Sequence, residues 1–262
     1  TVDSAIADTV TAQINAGISP QQGIEFDTNA MEIKVAWRIL TDQDDHDRYY
    51  VRKALISDED GYNYTTATVG MVGFHIMQKT AIFPQWIWST FEHVDNVSGL
   101  HPSFNNGTDE PPSLIVNAQP TGYNYEPAGI ETPFPIRETR EPVQVTRAVP
   151  IPITPSDPAG YSTQELNKKY RALLKGTVWE NYRLVVTQWP LDPSLRSPYD
   201  PDFNPGNYEN SLAGDPFPQR AANVTMETYF QTESSCMECH YHAAAYGVDY
   251  SWILYDRVIN TQ

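Results

Sequence analysis

The sequence predicts an α+β fold that is predominantly β: a β-rich platform with long, proline-rich ordered loops and a small helical C-terminal part. Three observations carry this. Apolar residues between Met31 and Val94 recur with the period of strands. Proline is concentrated in two stretches that neither a long helix nor a central strand can accommodate. Helical spacing is confined to one segment after Ser162 and to the last forty residues, with no βαβ alternation that would suggest a nucleotide fold. The boundary is placed at residue 215, with 1–215 as the platform and 216–262 as the helical segment packed on it in one compact unit.

Taken in order, Met31 to Leu40 alternates, with Met31, Ile33, Val35, Trp37 and Ile39 on one side and Glu32, Lys34 and Arg38 on the other. This is the period of a half-buried strand, and the apolar side is expected to face the core. Tyr49 to Ile56 is its expected partner across an Asp-rich turn. Ala67 to Thr80 is apolar on both sides, as in a strand buried on both faces. Ile82 to Val94, with Trp86, Trp88 and Phe91, reads as a second such strand or an irregular core segment.

Eleven of the 21 prolines lie between Pro111 and Pro158 and seven more between Pro190 and Pro218. Tyr123, Tyr125, Ile130, Phe134, Ile136, Val143, Val145, Ile151 and Ile153 supply anchors to the first stretch, which favours ordered coil draped over a core rather than disorder. Ser162 and Glu165 form a capping box. Leu166, Tyr170, Leu173 and Leu174 then share one helical face, and Gly176 ends the helix. Val178 to Trp189 returns to strand character. The region around Cys236 reads as helical, with Met226, Tyr229 and Phe230 before it and Ala243 to Ala245 after it.

The 262 residues include 17 Lys+Arg and 33 Asp+Glu, a formal charge of −16. Without a basic run, the chain lacks the electrostatic attraction on which nucleic-acid and anionic-membrane binding depend. No apolar run reaches the length of a membrane span. Thr1 opens a polar stretch with no basic n-region or apolar h-region, the pattern expected of a mature chain whose targeting segment has been removed. Asp42 to Asp47 and Asp58-Glu59-Asp60-Gly61 resemble calcium sites superficially, but neither completes a twelve-residue loop with Gly at six and Glu at twelve. Both read as solvated turns.

Both cysteines of the chain stand together in Cys236-Met237-Glu238-Cys239-His240. This is the haem-attachment pattern. Two thiols separated by two residues can bond to the two vinyl groups of a haem, and the following imidazole then meets the iron. Cys236 and Cys239 are therefore expected as thioether anchors of one covalently attached haem c, with His240 as the proximal iron ligand. Zinc held by Cys236, Cys239 and a histidine would need a fourth ligand. A redox CxxC would want a βαβ context. Two inert cysteines would leave His240 unexplained.

The ligand opposite His240 comes from a remote segment. His242 faces away from the same iron on a helix. Met237 sits inside the attachment loop, His46 lies in a solvated acidic turn, and His101 precedes Pro102 in a surface-type loop. His75 lies among apolar residues and glycine, where a buried imidazole needs a partner and iron is one. Gly73, with Met71 and Met77 on the same side, would let a flat macrocycle approach. His75 is therefore the expected distal ligand, with Met77, Met226 and His93 as alternatives and an open iron as a further one. Two strong axial ligands leave electron transfer, whereas a vacant site allows small-molecule activation, for which Glu92 and His93 are the weak catalytic candidates.

Several segments resemble those of exported bacterial proteins labelled only as cytochrome c family proteins. These are Trp37-Arg38, Val72 to Thr80, Pro84 to Asn96, Val178 to Tyr182, Thr187 to Pro190, Met226 to Tyr229, Cys236 to His240 and Asp249 to Ser251. The short helical cytochromes c differ, because their motif lies near the start of the chain. The resemblance implies covalent haem and export, and it puts His75, Glu92 and His93 in segments characteristic of the family; it supplies no substrate. Together with the motif, it implies a periplasmic or extracellular monohaem c-type cytochrome acting in electron transfer. The acidic charge predicts a redox partner protein with a basic or neutral docking face.

Overall fold

The computed structural model describes residues 26–57, 63–98, 103–104, 145–154, 160–191, 216–218, 220–228, 230–245 and 249–253. The expectations that fall on 105–144, 155–159 and 192–215, on Asp58 to Gly61 and on His101 lie outside these residues. The described part is mostly antiparallel sheet, with two α-helices, and has the predominantly β, α+β character that the sequence predicts.

The strands are β1 (Met31–Ile39), β2 (Val51–Ser57), β3 (Tyr64–Gln78), β4 (Ile87–His93), β5 (Tyr182–Pro190) and β6 (Pro216–Phe217). Their order is β1-β3-β4-β5-β6, with β2 also paired to β3. The length of β3 allows this: β1 and β4 both pair its C-terminal half, so they lie on opposite edges, and β2 pairs its N-terminal half, Tyr64 to Gly70. The helices are α1 (Thr163–Leu173) and α2 (Cys236–Ala245). The capping box of α1 forms as the sequence predicts, with Ser162 Oγ accepting from the Glu165 N–H and the Glu165 carboxylate accepting from the Ser162 N–H.

Two bulges set which side chains face which way. Ala36 pairs Gly73 while Trp37 pairs Met71, so Val72 is the extra residue of β3; likewise Thr90 pairs Val186 while Phe91 pairs Leu184, so Val185 is extra in β5. Each bulge lets two successive residues turn to the same face. Val72, Val185 and Val186 are accordingly all buried.

The covered face carries the rows Lys34–His75–Thr90–Val186 and Glu32–Met77–Trp88–Gln188. Across it run the C-terminal segments 221–228, 230–245 and 249–251. Asn223 is the main latch: its Nδ2 donates to Thr90 Oγ1 (3.0 Å) and the Phe91 carbonyl (2.8 Å), and its Oδ1 accepts from the N–H and hydroxyl of Thr225. Gly73 makes the close approach possible, since a Cβ there would stand 2.5 Å from Thr225 Oγ1. Gln188 is a second latch, accepting from the Met237 N–H (2.9 Å) and donating to Ser235 Oγ (3.0 Å), which fixes the start of α2 on β5.

The expected orientation of β1 is reversed. Met31, Ile33 and Trp37 are exposed and Arg38 is buried. Arg38 is pulled inward by an ion pair with Asp44 and by the ring of Tyr49, 5.7 Å from its guanidinium carbon, while Glu32 and Lys34 turn toward the polar covered face. Polar partners decided the orientation here, and the apolar side was left outward.

Candidate functional site

The site is the cavity between the covered face and the C-terminal chain. Its volume is about 450 Å³, within the ~300–1,000 Å³ range of small-molecule and cofactor sites. The sheet contributes Lys34, His75, Met77 and Trp88. The crossing chain contributes Met226 and Glu227, then Cys236, Cys239 and His240. The CxxCH motif and His75, 161 positions apart at its nearest end, thus share one wall-to-wall space. Of the alternative distal residues, Met77 and Met226 also line it.

His240 is held by its backbone partner. Its Nδ1 lies 2.7 Å from the Tyr250 carbonyl, so Nδ1 carries the proton and Nε2 keeps its lone pair. This is the tautomer of a metal-ligating histidine with its second nitrogen bonded. The carbonyl is itself positioned by strain and an ion pair. Asp249 and Tyr250 have φ of 45° and 61°, and Asp249 is pinned by Lys79 Nζ (2.9 Å) and the Phe26 N–H (2.6 Å). Trp88 lies against the other side of the imidazole, with ring centroids 4.3 Å apart.

His75 is the complementary case. It is 8% exposed, and among the described residues its buried Nε2 has no hydrogen-bond partner, with Glu227 Oε1 at 3.7 Å. An orphaned buried nitrogen costs about 1–3 kcal/mol unless something else meets it. Burial pushes the His75 imidazole down to about 3, with Lys34 and His240 adding like-charge repulsion, and burial pushes His240 down to about 4. Both rings are therefore neutral at physiological pH, as iron ligands must be.

The thiols are free, and burial raises the pKa of both Cys236 and Cys239. That is the reverse of a redox CxxC, whose reactive thiol is lowered. Among the described residues no three His, Cys, Asp or Glu side chains converge as a metal ion requires, so the zinc alternative has no ligand set there. The residues present fit a haem instead: two thiols, a tautomer-fixed histidine, an unpartnered histidine and a cavity bounded by all four.

Other candidates lie elsewhere. Glu92 is fully buried at the far end of the covered face, bound by Arg147, by Arg183 (3.0 Å) and by the Val224 N–H. His93 is 3.0 Å from the Arg48 carbonyl through Nε2 and stacks on Tyr49, with centroids 4.1 Å apart. Neither lines the cavity, and both hold the fold together. His46 is exposed in its turn. Sequence reasoning missed Glu227, whose carboxyl is raised to about 7 by burial, and Lys34, the one Lys or Arg among the described residues that line the cavity. The polar side of the β1 alternation was the available signal for Lys34; Glu227 carries none beyond its place beside Met226.

Comparison of the chain with protein-family models, with curated proteins and with solved structures finds no match. Among the described residues no helix is long and apolar enough to cross a membrane.

Proposed function

We propose that the protein is a monohaem c-type cytochrome, exported to the periplasm or beyond, that passes single electrons between partner proteins. The observation that carries this reading is the pair of neutral imidazoles in one cavity with both thiols, half-buried His240 with Nδ1 tied to a carbonyl and buried His75 with Nε2 unpartnered among the described residues. Haem, when bound, supplies a one-electron couple whose potential the axial ligands and burial set. Cys236 and Cys239 would anchor it, and His240 and His75 would hold the iron. Trp88 and Met77, almost fully buried and backed by Met237, would close their side of the cavity to water. The resemblance of single sequence segments to cytochrome c family proteins points the same way, although no family model matches the chain.

Glu227, Glu233 and Glu238 line the cavity against one Lys34. This acidic surround suits a partner with a basic or neutral docking face, with an association rate that falls as salt rises. The rival reading, a haem enzyme with an open distal position, would draw on Glu227 as the acid or base beside His75. Cyanide or carbon monoxide binding separates the two, since a filled iron resists both.

The reading is tested on protein made in a host with haem-attachment machinery. After acid–acetone extraction, the pyridine haemochrome spectrum should show one haem c per chain retained by the polypeptide. Haem that extracts fully, or none at all, would overturn it.

A further inference from the structure

The opposite face of the sheet holds a second cavity, of about 360 Å³, beneath α1. Its floor is Phe74 and Phe91, stacked with centroids 4.6 Å apart at 7°, and its walls include Tyr170, Trp179 and Tyr182. Leu166 and Leu184 complete an almost wholly apolar lining, so a flat ring would find π-faces on several sides.

One group departs from this. Arg171 lines the cavity, half-buried, and donates from Nε to the Glu180 carbonyl (2.6 Å), which leaves its Nη nitrogens without a protein partner among the described residues. A guanidinium fixed at Nε presents its remaining N–H groups as a rigid fork, the geometry that recognises a carboxylate. The surroundings favour an anion as well. Lys168, Lys169, Arg171 and Lys175 are four of the 17 basic residues of a chain whose formal charge is −16, gathered into eight positions on and just beyond one helix. The three lysines are exposed. This is the one region among the described residues where cations cluster around an apolar cavity.

We infer that this cavity is a binding site for an aromatic carboxylate, its ring between Phe74/Phe91 and the Trp179 side and its carboxylate on Arg171. The site does not depend on the haem reading, because the sheet separates it from His75.

The test uses the full-length protein and 2-naphthoate, followed by calorimetric titration and by quenching of tryptophan fluorescence. Saturable one-to-one binding is expected, weakened about tenfold or more for the uncharged naphthalene-2-carboxamide and for 2-naphthoate with the Arg171→Gln protein. The carboxamide should bind wild type and Arg171→Gln alike. No saturable binding, or equal binding of the two probes to wild-type protein, would overturn the inference; the second comparison needs no variant to fold. Unchanged 2-naphthoate affinity in Arg171→Gln would also overturn it.

Discussion

On the covered face of the sheet, Lys34, His75 and Thr90 stand side by side, with Glu92 and Gln188 in the neighbouring rows, and the C-terminal chain seals most of them from water. On the other face, one residue along each strand, Val35, Phe74, Phe91 and Leu184 form an apolar row that is only half-buried. The polar face is the buried one. Burial there is secured by specific partners, such as Asn223 on Thr90 and Gln188 on Met237, whereas the apolar face is covered by one short helix and retains a cleft. A face that buries polar groups must satisfy each of them. Several buried polar atoms lack a partner among the described residues, Arg38 Nε and Asn96 Oδ1 included, and His75 Nε2 is the one of them in the cavity with both thiols.

Substitutions that break partners on the covered face should therefore cost more than any on the open face. The largest effect is expected at Glu92. Arg147 and Arg183 share this one buried carboxylate, and burial pushes Arg147 down to about 9, so Glu92→Ala leaves two half-buried guanidiniums without their counter-charge. Urea denaturation should show a loss of about 3–5 kcal/mol.

Acid should act next. Burial lowers His93 to about 4 from an ordinary 6.5. Above pH 6.5 neither folded nor unfolded chains protonate it. As pH falls from 6.5 toward 4 the unfolded chain binds the proton first, so stability is lost at about 1.4 kcal/mol per pH unit from this residue. His93→Gln should flatten the stability–pH slope over that interval by about one proton, measured by denaturant titration at successive pH values.

Gly73→Ala comes third. Its Cβ would press on Thr225 Oγ1, which is tied to Asn223, and such overpacking costs about 1–3 kcal/mol. Thermal denaturation would register it as a lower midpoint. The smallest effect belongs to the open face: Ile33, 58% exposed, should tolerate Thr within about 0.5 kcal/mol. A larger loss at Ile33 than at Gly73 would invert the comparison between the faces.

The elements of the fold were legible wherever local chemistry decided them. The Ser162–Glu165 capping box and the strand through His75 lie where period and capping place them, whereas the strand expected from Val178 begins only at Tyr182, after a 3-10 turn over Val178–Asn181. The orientation of β1 was not legible, because alternation gives two faces without saying which is covered, and the covering chain arrives from some 200 residues away. The bulges at Val72 and Val185 shift the alternation for the same non-local reason. Within the site, CxxCH announced itself by spacing alone. His75 stood out as a histidine among apolar neighbours, and the cavity it shares with His240 fits that suspicion. His93 carried a similar local signal and has a different role, since a buried imidazole can be met by a carbonyl as well as by a metal.

The central proposal is that His75 and His240, which line one cavity, would together hold the iron of one haem. The most direct measurement is the optical spectrum of ferrous wild-type protein and of His75→Ala, each before and after carbon monoxide. Wild type should be low-spin and unchanged by carbon monoxide, whereas His75→Ala should lose the six-coordinate signature and bind the gas. A low-spin spectrum in His75→Ala identical to that of wild type, or a wild type that binds carbon monoxide readily, would contradict it.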